Sequence, residues 1–344
     1  MNPQIETACQ DAAHAGLLHG VVLAAGTGGS LTVLEAWGLA TVTPEPVPMR
    51  TDAIFDLASV TKAVATASAC AVCIDEGLLD PEAPVAEYLP GIGRFASTAV
   101  CVKDLATHTS GFDNRKFDAL DPAAMLQAMV ETPAQWAPGE RFEYSCRNFV
   151  ILGRIVETLT GQGLAAFCQQ RLFGPLGMAD TAFGPLATNL DRVVPSSVAA
   201  GIISDEQARR ATCAIGNAGL FATATDLATF CRMILRGGKG VLGPQSLNWL
   251  LKPCTPAGLP RRSFGWDLRP VAESPCRPTR MSARAIGHSG WTGQSIWIDP
   301  EQDIFTIVLT NRTHQPGRQD NYVASKQFRS QVADLLIGQV LDPF

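Results

Sequence analysis

The stretch FDLASVTKAVAT, residues 55–66, carries the first decision about this chain. From Ser59 to Leu79 the sequence is almost wholly apolar and reaches Gly77, which predicts a long helix buried on all sides. At its start Ser59 and Lys62 stand three positions apart. That spacing puts a hydroxyl and an amine on one face and one turn, with Cβ atoms within ~6 Å. A serine hydroxyl is a weak nucleophile until a neighbour takes its proton, and a lysine does so when its pKa falls well below ~10.4. Burial on an apolar helix is expected to lower Lys62 in this way. The helix N-terminus adds a positive dipole end and an N–H suited to a developing oxyanion. Alone the pair is weak, because a serine N-cap followed by a snorkelling lysine gives the same letters.

Outward from this helix, VVLAAG and LTVLEAWG are β-rich apolar runs separated by TGGS, a hairpin signature, and an amphipathic helix in MNPQIETACQDAAHAGLL precedes them. GTGGS is not read as a nucleotide loop, since no helix follows it and the glycine spacing is incomplete. Between about 80 and 200, amphipathic segments such as DPAAMLQAMVET and RNFVILGRIVETLTG alternate with Pro/Gly-rich loops. GQSIWIDPEQDIFTIVLTNR then reads as two strands around a PEQD turn, followed by a closing helix from about Asn321 to Val340. The expected fold is α+β, an α/β sandwich. Residues 1–79 and 201–344 would form an antiparallel sheet flanked by helices, residues 80–200 an inserted all-helical subdomain, and the cleft between them the active site. A length of 344 residues, beyond the usual ceiling of one hydrophobic core, agrees with two parts.

Hydrophobic residues at 46% and charged residues at 17% exclude a disordered chain or a coiled coil. A net charge of −5 without a basic cluster gives no reason to expect nucleic acid or an anionic membrane as partner. No apolar run approaches the ~20 residues that span a bilayer, and the N-terminus lacks the regions of a secretory signal. Ten cysteines without a compact disulfide pattern, several in apolar stretches (Cys70, Cys101, Cys213, Cys231), suggest buried thiols in a reducing cytoplasm. Cys70 and Cys73 form a C-x-x-C inside the apolar helix and are read as core. His14, His19 and His314 have no partners at ligand spacing, so neither a metal nor another cofactor is expected. The oligomeric state is not readable.

Two further features join Ser59 and Lys62. In APGERFEYSCRNFVILG, Tyr144 follows a Pro-Gly turn and precedes a helix, and only three tyrosines exist. Gly287-His288-Ser289-Gly290-Trp291-Thr292-Gly293 is a small-residue stretch leading into a strand, where backbone can approach a ligand closely. With these in view the sequence resembles the serine β-lactamase-like family: class C β-lactamases, penicillin-binding-protein-4-like proteins and related esterases. The resemblance rests on six blocks in order. They are FDLASVTKAVAT, VKDLATHTSGF (102–112), APGERFEYS (137–145), LFGPLGMADTAF (172–183), GNAGLFATATDLATF (216–230) and GHSGWTGQSIWIDP (287–300).

The resemblance implies that Ser59 is acylated, that Lys62 helps activate it and that Tyr144 shuttles a proton to the leaving group. The N–H groups of Ser59 and Trp291 would form the oxyanion hole, and His288-Ser289-Gly290 stands where many members have Lys-Thr-Gly, aligning the substrate. A histidine there carries less positive charge at neutral pH than lysine. The family's Y-x-N continues here as Tyr144-Ser145-Cys146, so Cys146 replaces an amide with a weak hydrogen-bonding thiol. Asn148 would face elsewhere by helical geometry, and His108 is read as structural. The expected function is a serine hydrolase acting on a small-molecule or peptide-like ester, amide or β-lactam. The alternatives are a D-Ala-D-Ala-type carboxypeptidase or D-amino-acid peptidase and, outside enzymes, a β-lactam-binding receptor that does not turn over.

Overall fold

The computed structural model describes residues 1–90, 92, 100–314 and 321–342. Its helices are α1 (Pro3–His14), α2 (Ser68–Asp75), α3 (Val102–Thr107), α4 (Pro122–Glu131), α5 (Cys146–Thr160), α6 (Leu164–Cys168), α7 (Gly174–Leu176), α8 (Glu206–Arg210), α9 (Ala224–Leu235), α10 (Pro244–Leu251) and α11 (Tyr322–Leu341). The strands are β1 (Gly20–Gly26), β2 (Leu31–Thr41), β3 (Val47–Pro48), β4 (Phe55–Asp56), β5 (Ala182–Phe183), β6 (Leu220–Ala222), β7 (Ile286–Ser289), β8 (Gln294–Asp299) and β9 (Ile304–Thr310).

Six strands form one sheet in the order β3-β2-β1-β9-β8-β7, every neighbouring pair antiparallel. The expected hairpins β1–β2 and β8–β9 are both present, and the two ends of the chain meet where Val21 pairs with Thr310 and Gly26 with Phe305. Every residue of β1 is buried, so both faces of the sheet are covered. Alternation divides the strand. Val21, Leu23 and Ala25 pack with Ile5, Ala8, Cys9 and Ala12 of α1 and Phe328, Val332 and Leu336 of α11. Val22 and Ala24 enter the main core with Leu227, Phe230 and Ile234 of α9. The spacing of Ile5, Ala8, Cys9 and Ala12 is one helical stripe, and Asn2 caps α1 by accepting a hydrogen bond from the Gln4 N–H at 2.8 Å.

A second, small sheet in the order β4-β6-β5 delivers the chain to Ser59. Among the described residues of 80–200 the named elements are helices joined by loops, apart from the two residues of β5, which pair with β6, and isolated bridges at Pro84–Cys101 and Val193–Ile54. The predicted helix from Ser59 to Leu79 is present but not uniform. Lys62–Ala67 is wound as a π-helix, α2 ends at Asp75, and Gly77 sits at φ +70° beyond it. No proline or glycine marks that widening, so sequence pattern gave no sign of it; such turns are frequent at functional sites. Cys70 and Cys73 lie buried on α2, as expected, and burial pushes the Cys73 thiol up to about 12. The thiol expectation fails at Cys213, which is exposed because it lies in the loop after α8 rather than in a packed element. Cys101 is half-buried.

Candidate active site

Ser59 is placed by the end of β4. The Asp56 carboxylate accepts from the N–H of Ala58 at 2.8 Å and of Ser204 at 2.7 Å, and its carbonyl accepts from Thr292 Oγ1 at 2.9 Å and Gln294 Nε2 at 3.1 Å. Ala58 is forced into the left-handed region at φ +45°, a strained position for a residue with a Cβ. The chain then tightens through Val60 N to Leu57 O, Thr61 N to Ala58 O and Lys62 N to Ser59 O, 3.0–3.1 Å each. Ser59 therefore stands at the mouth of a helix whose next turns are entirely buried.

Lys62 is fully buried. Its Nζ donates to Ser59 Oγ at 3.0 Å, to the Asn217 carbonyl at 2.8 Å and, more weakly, to Cys146 Sγ at 3.5 Å. Burial alone pulls its pKa down, as the sequence suggested. The Cys146 sulfur and the Tyr144 oxygen outweigh that effect, and the net direction is up. The expectation of a lowered Lys62 is thus corrected: it rested on burial and had no access to neighbours 82 and 84 residues away in the chain. The Tyr144 ring centre lies 5.3 Å from Lys62 Nζ, and burial pushes its phenol up against the opposing pull of the Lys62 charge.

Tyr144 is held from both sides of its backbone. The Glu143 N–H donates to the His108 carbonyl at 2.9 Å, the Ser145 N–H to His108 Nδ1 at 3.2 Å, and the Cys146 N–H to Asn114 Oδ1 at 2.8 Å. His108 caps α3 in the left-handed conformation, and its ring centroid is 4.4 Å from that of Tyr144. Asn148 does face elsewhere: its amide meets His108 Nδ1 at 3.2 Å and accepts from Ser110 Oγ at 2.6 Å. His108 is a structural residue in the sense expected, but one that sets the tyrosine's place.

The opposite wall is the sheet edge. Gly287-His288-Ser289, expected to lead into a strand, is itself strand β7, paired with β8. Gly287 lies against the Trp297 ring, where a Cβ would come within 2.2 Å. His288 is 5% exposed, and burial with the nearby Arg262 and Lys62 charges holds it down at about 3, so it is neutral at pH 7. Trp291 is 43% exposed, and its carbonyl accepts from Arg312 Nη1 at 2.6 Å. A cleft of about 440 Å³ is lined by Ser59, Tyr144, Cys146, His288, Ser289 and Trp291, so six of the residues singled out in the sequence share one cavity.

Arg262, Asp267, Arg269 and Phe142 line it too, and sequence reasoning missed them. Arg262 pairs with Asp267, and Asp267 with Gly287, so this segment lies beside β7. Its turn residue Gly265 is at φ +87° with a Cβ position 2.5 Å from Ala67 Cβ. The alternation R-S-F-G-W-D around a glycine was the available signal. A larger cavity of about 670 Å³ lies between residues 40–53 and 190–200, but neither lysine nor cysteine lines it. Among the described residues no cluster of metal-ligating side chains occurs, and no helix is long and apolar enough to cross a membrane.

Comparison with known proteins agrees with this geometry. The model of the family described as Beta-lactamase matches residues 6–327. A protein of Escherichia coli (strain K12) named "Putative D-alanyl-D-alanine carboxypeptidase" is 30% identical over 329 residues, covering 82% of this chain and 76% of that protein. Among solved structures, a penicillin-binding protein homologue from Pyrococcus abyssi, described as octameric, superposes with a TM-score of 0.77 at 20% identity, covering 100% of this chain and 79% of that one. EstCE1, described as a hydrolase with promiscuous acyltransferase activity, gives 0.76 at 22% identity, covering 95% and 97%. With the family model spanning nearly the whole length, the chain belongs to the Beta-lactamase family and is a serine hydrolase of the β-lactamase and penicillin-binding-protein type.

Proposed function

We propose that Ser59 is the acylated nucleophile of an ester- or amide-cleaving hydrolase, working in a cleft between a sheet domain (1–79 and 201–344) and a helical subdomain (80–200). The observation that carries this is Lys62 Nζ at 3.0 Å from Ser59 Oγ, with the Tyr144 ring centre 5.3 Å from the same nitrogen and Tyr144 lining the cleft beside Ser59. Both proton-transfer groups are raised, so the resting pair is ammonium and phenol. The reactive form is the one in which this pair has lost one proton. It then takes the Ser59 proton as Oγ bonds to the substrate carbonyl carbon, and returns it through Tyr144 to the leaving oxygen or nitrogen as that bond breaks. Water repeats the sequence on the acyl-enzyme. The N–H groups of Ser59 and Trp291 would hold the oxyanion, with Ser289 and Gly290 on the sheet edge aligning the substrate.

His288 is a neutral neighbour in this scheme, and Cys146 offers Lys62 a weaker acceptor than an amide. Both features favour an ester or peptide-like substrate over a β-lactam. The names of the curated relatives support a peptide substrate ending in D-alanine as one such case. A reducing compartment suits ten free cysteines.

The test is intact-protein mass spectrometry of wild type and Ser59→Ala after brief exposure to a p-nitrophenyl ester and to a penicillin, with product release followed in parallel. Wild type is expected to be acylated and to release the ester product, and Ser59→Ala to do neither. Labelling of Ser59→Ala would remove the assignment. Acylation by penicillin with no release from any compound would favour a receptor.

A further inference from the structure

The cavity of about 670 Å³ between residues 40–53 and 190–200 shares no lining residue with the catalytic cleft. Its walls are mainly apolar, with Val47, Ala53, Leu190, Val193 and Val198 among them. Val47 and Leu190 remain 42% and 45% exposed there, apolar surface left for a ligand to cover. The charges on the walls cancel, Glu45 and Asp191 against Arg50 and Arg192. Both guanidiniums are already engaged: Arg50 bonds the two Asp52 oxygens at 2.8 and 2.7 Å, and Arg192 the two Asp180 oxygens at 2.8 and 2.7 Å. The two carboxylates are exposed to water, where pairing with a cation gains little. His314 adds no charge at neutral pH, since burial holds its imidazole down and its Nε2 accepts from the Val42 N–H at 3.4 Å. Volume and lining are those of a site for a small, uncharged molecule.

The two walls of this cavity are tied to the nucleophile. The Ile54 N–H donates to the Arg192 carbonyl and the Val194 N–H to the Ile54 carbonyl, 2.9 Å each, so the walls meet in a parallel bridge between Ile54 and Val193. From the first wall the chain reaches Ser59 five residues after Ile54. From the second it continues to Ser204, whose N–H donates to the Asp56 carboxylate at 2.7 Å, and to Asp205, which lines the catalytic cleft. Whatever fills the cavity packs on the segments that place Ser59. We propose that this cavity is a second binding site, for a neutral and largely apolar small molecule, and that its occupant alters turnover at Ser59 through these two segments. A ligand does so when it binds the two arrangements of those segments unequally. The coupled half of the inference rests on Ser59 being the acylated residue, and the binding half does not.

Nile red, a neutral apolar dye that brightens on leaving water, is the probe. Wild type whose Ser59 has been blocked with a fluorophosphonate, so that the catalytic cleft is occupied, is expected to bind the dye saturably. Val198→Trp and Ala199→Trp each put an indole into the cavity and should weaken the dye by at least about tenfold, the scale of one lost apolar contact. Unchanged affinity in both variants, or binding that vanishes once Ser59 is blocked, overturns the proposal. A measurement on wild type alone guards against a misfolded variant: 2-decanone should displace the dye at least about tenfold better than decanoate or decylammonium, chains of equal length that carry a charge. Displacement by either ion as good as by the ketone overturns the neutral occupant. Saturating 2-decanone should then change kcat/KM for p-nitrophenyl acetate by about twofold or more in wild type and leave it unchanged in Ala199→Trp. No change in wild type removes the coupling to Ser59. If the fluorophosphonate fails to label wild type, the nucleophile assignment itself has failed, and dye displacement still decides the second site.

Discussion

The two walls of the cleft solve opposite problems. On the helix wall Lys62 donates to three acceptors of its own protein, Ser59, Asn217 and Cys146, and the Tyr144 backbone is clamped through His108 and Asn114. On the sheet-edge wall His288 is stripped of charge by burial and the nearby Arg262 and Lys62. The first wall fixes a charge beside the reacting serine, and the second removes one. Chemistry needs groups fixed relative to one another, whereas an uncharged strand edge leaves alignment of the substrate to backbone and hydroxyl groups.

The sharpest way to break this contrast is to remove the first wall's amine. Lys62→Met should lower kcat/KM by about 10³-fold, on the order of 4 kcal/mol, with the acyl adduct no longer seen by mass spectrometry. A loss below tenfold would mean that Tyr144 suffices. Next, Gly265→Ala puts a side chain at φ +87° and 2.5 Å from Ala67 Cβ, and should cost about 3 kcal/mol of stability by denaturant titration. A change under about 1 kcal/mol would show that the segment bearing Arg262 yields easily.

Acidification probes the second wall. His288 is depressed to about 3 in the fold against about 6.5 unfolded, so the unfolded chain binds the extra proton and stability falls as pH drops through that window. The slope from this group approaches about 1.4 kcal/mol per pH unit, and His288→Gln should flatten it by that amount in denaturation curves at pH 5 and 6. An unchanged slope would mean that the ring is already charged or solvated. Activity has the same sign at higher pH: with Lys62 and Tyr144 both raised, kcat/KM should climb with pH beyond neutrality, because the one-proton-poorer pair grows. The smallest effect expected is at Cys146. Cys146→Asn gives Lys62 a stronger acceptor and should change turnover of amides by roughly fivefold, about 1 kcal/mol. Equal shifts for ester and amide would show that the thiol plays no part in selecting between them.

Legibility followed the same division. Ser59 and Lys62 are one turn apart and Tyr144 precedes a helix after a Pro-Gly turn, so local spacing with the ordered motifs was enough to gather them. The β1–β2 and β8–β9 hairpins were equally open to reading, since alternation and turn residues are local signals. Arg262 was not, because its meaning lies in facing Asp267 across Gly265 and lying beside β7, both tertiary facts. The direction of Lys62 was missed for a related reason: burial is written into the apolar helix, but Cys146 and Tyr144 reach it only through the fold. Cys213 failed because hydrophobic neighbours in sequence do not guarantee a packed element in space.

The register of the large sheet has a consequence for synthesis. β1 is complete by residue 26, but its partner β9 is made only after residue 304, and β7, which borders the cleft, joins the sheet through β8 and β9. During translation, a ribosome carrying this chain therefore presents β1 and β2 as a hairpin with one open edge for most of elongation, the kind of edge that recruits other strands. A nascent chain stalled before residue 304 already contains Ser59, Lys62 and Tyr144, but has no closed sheet against which to use them.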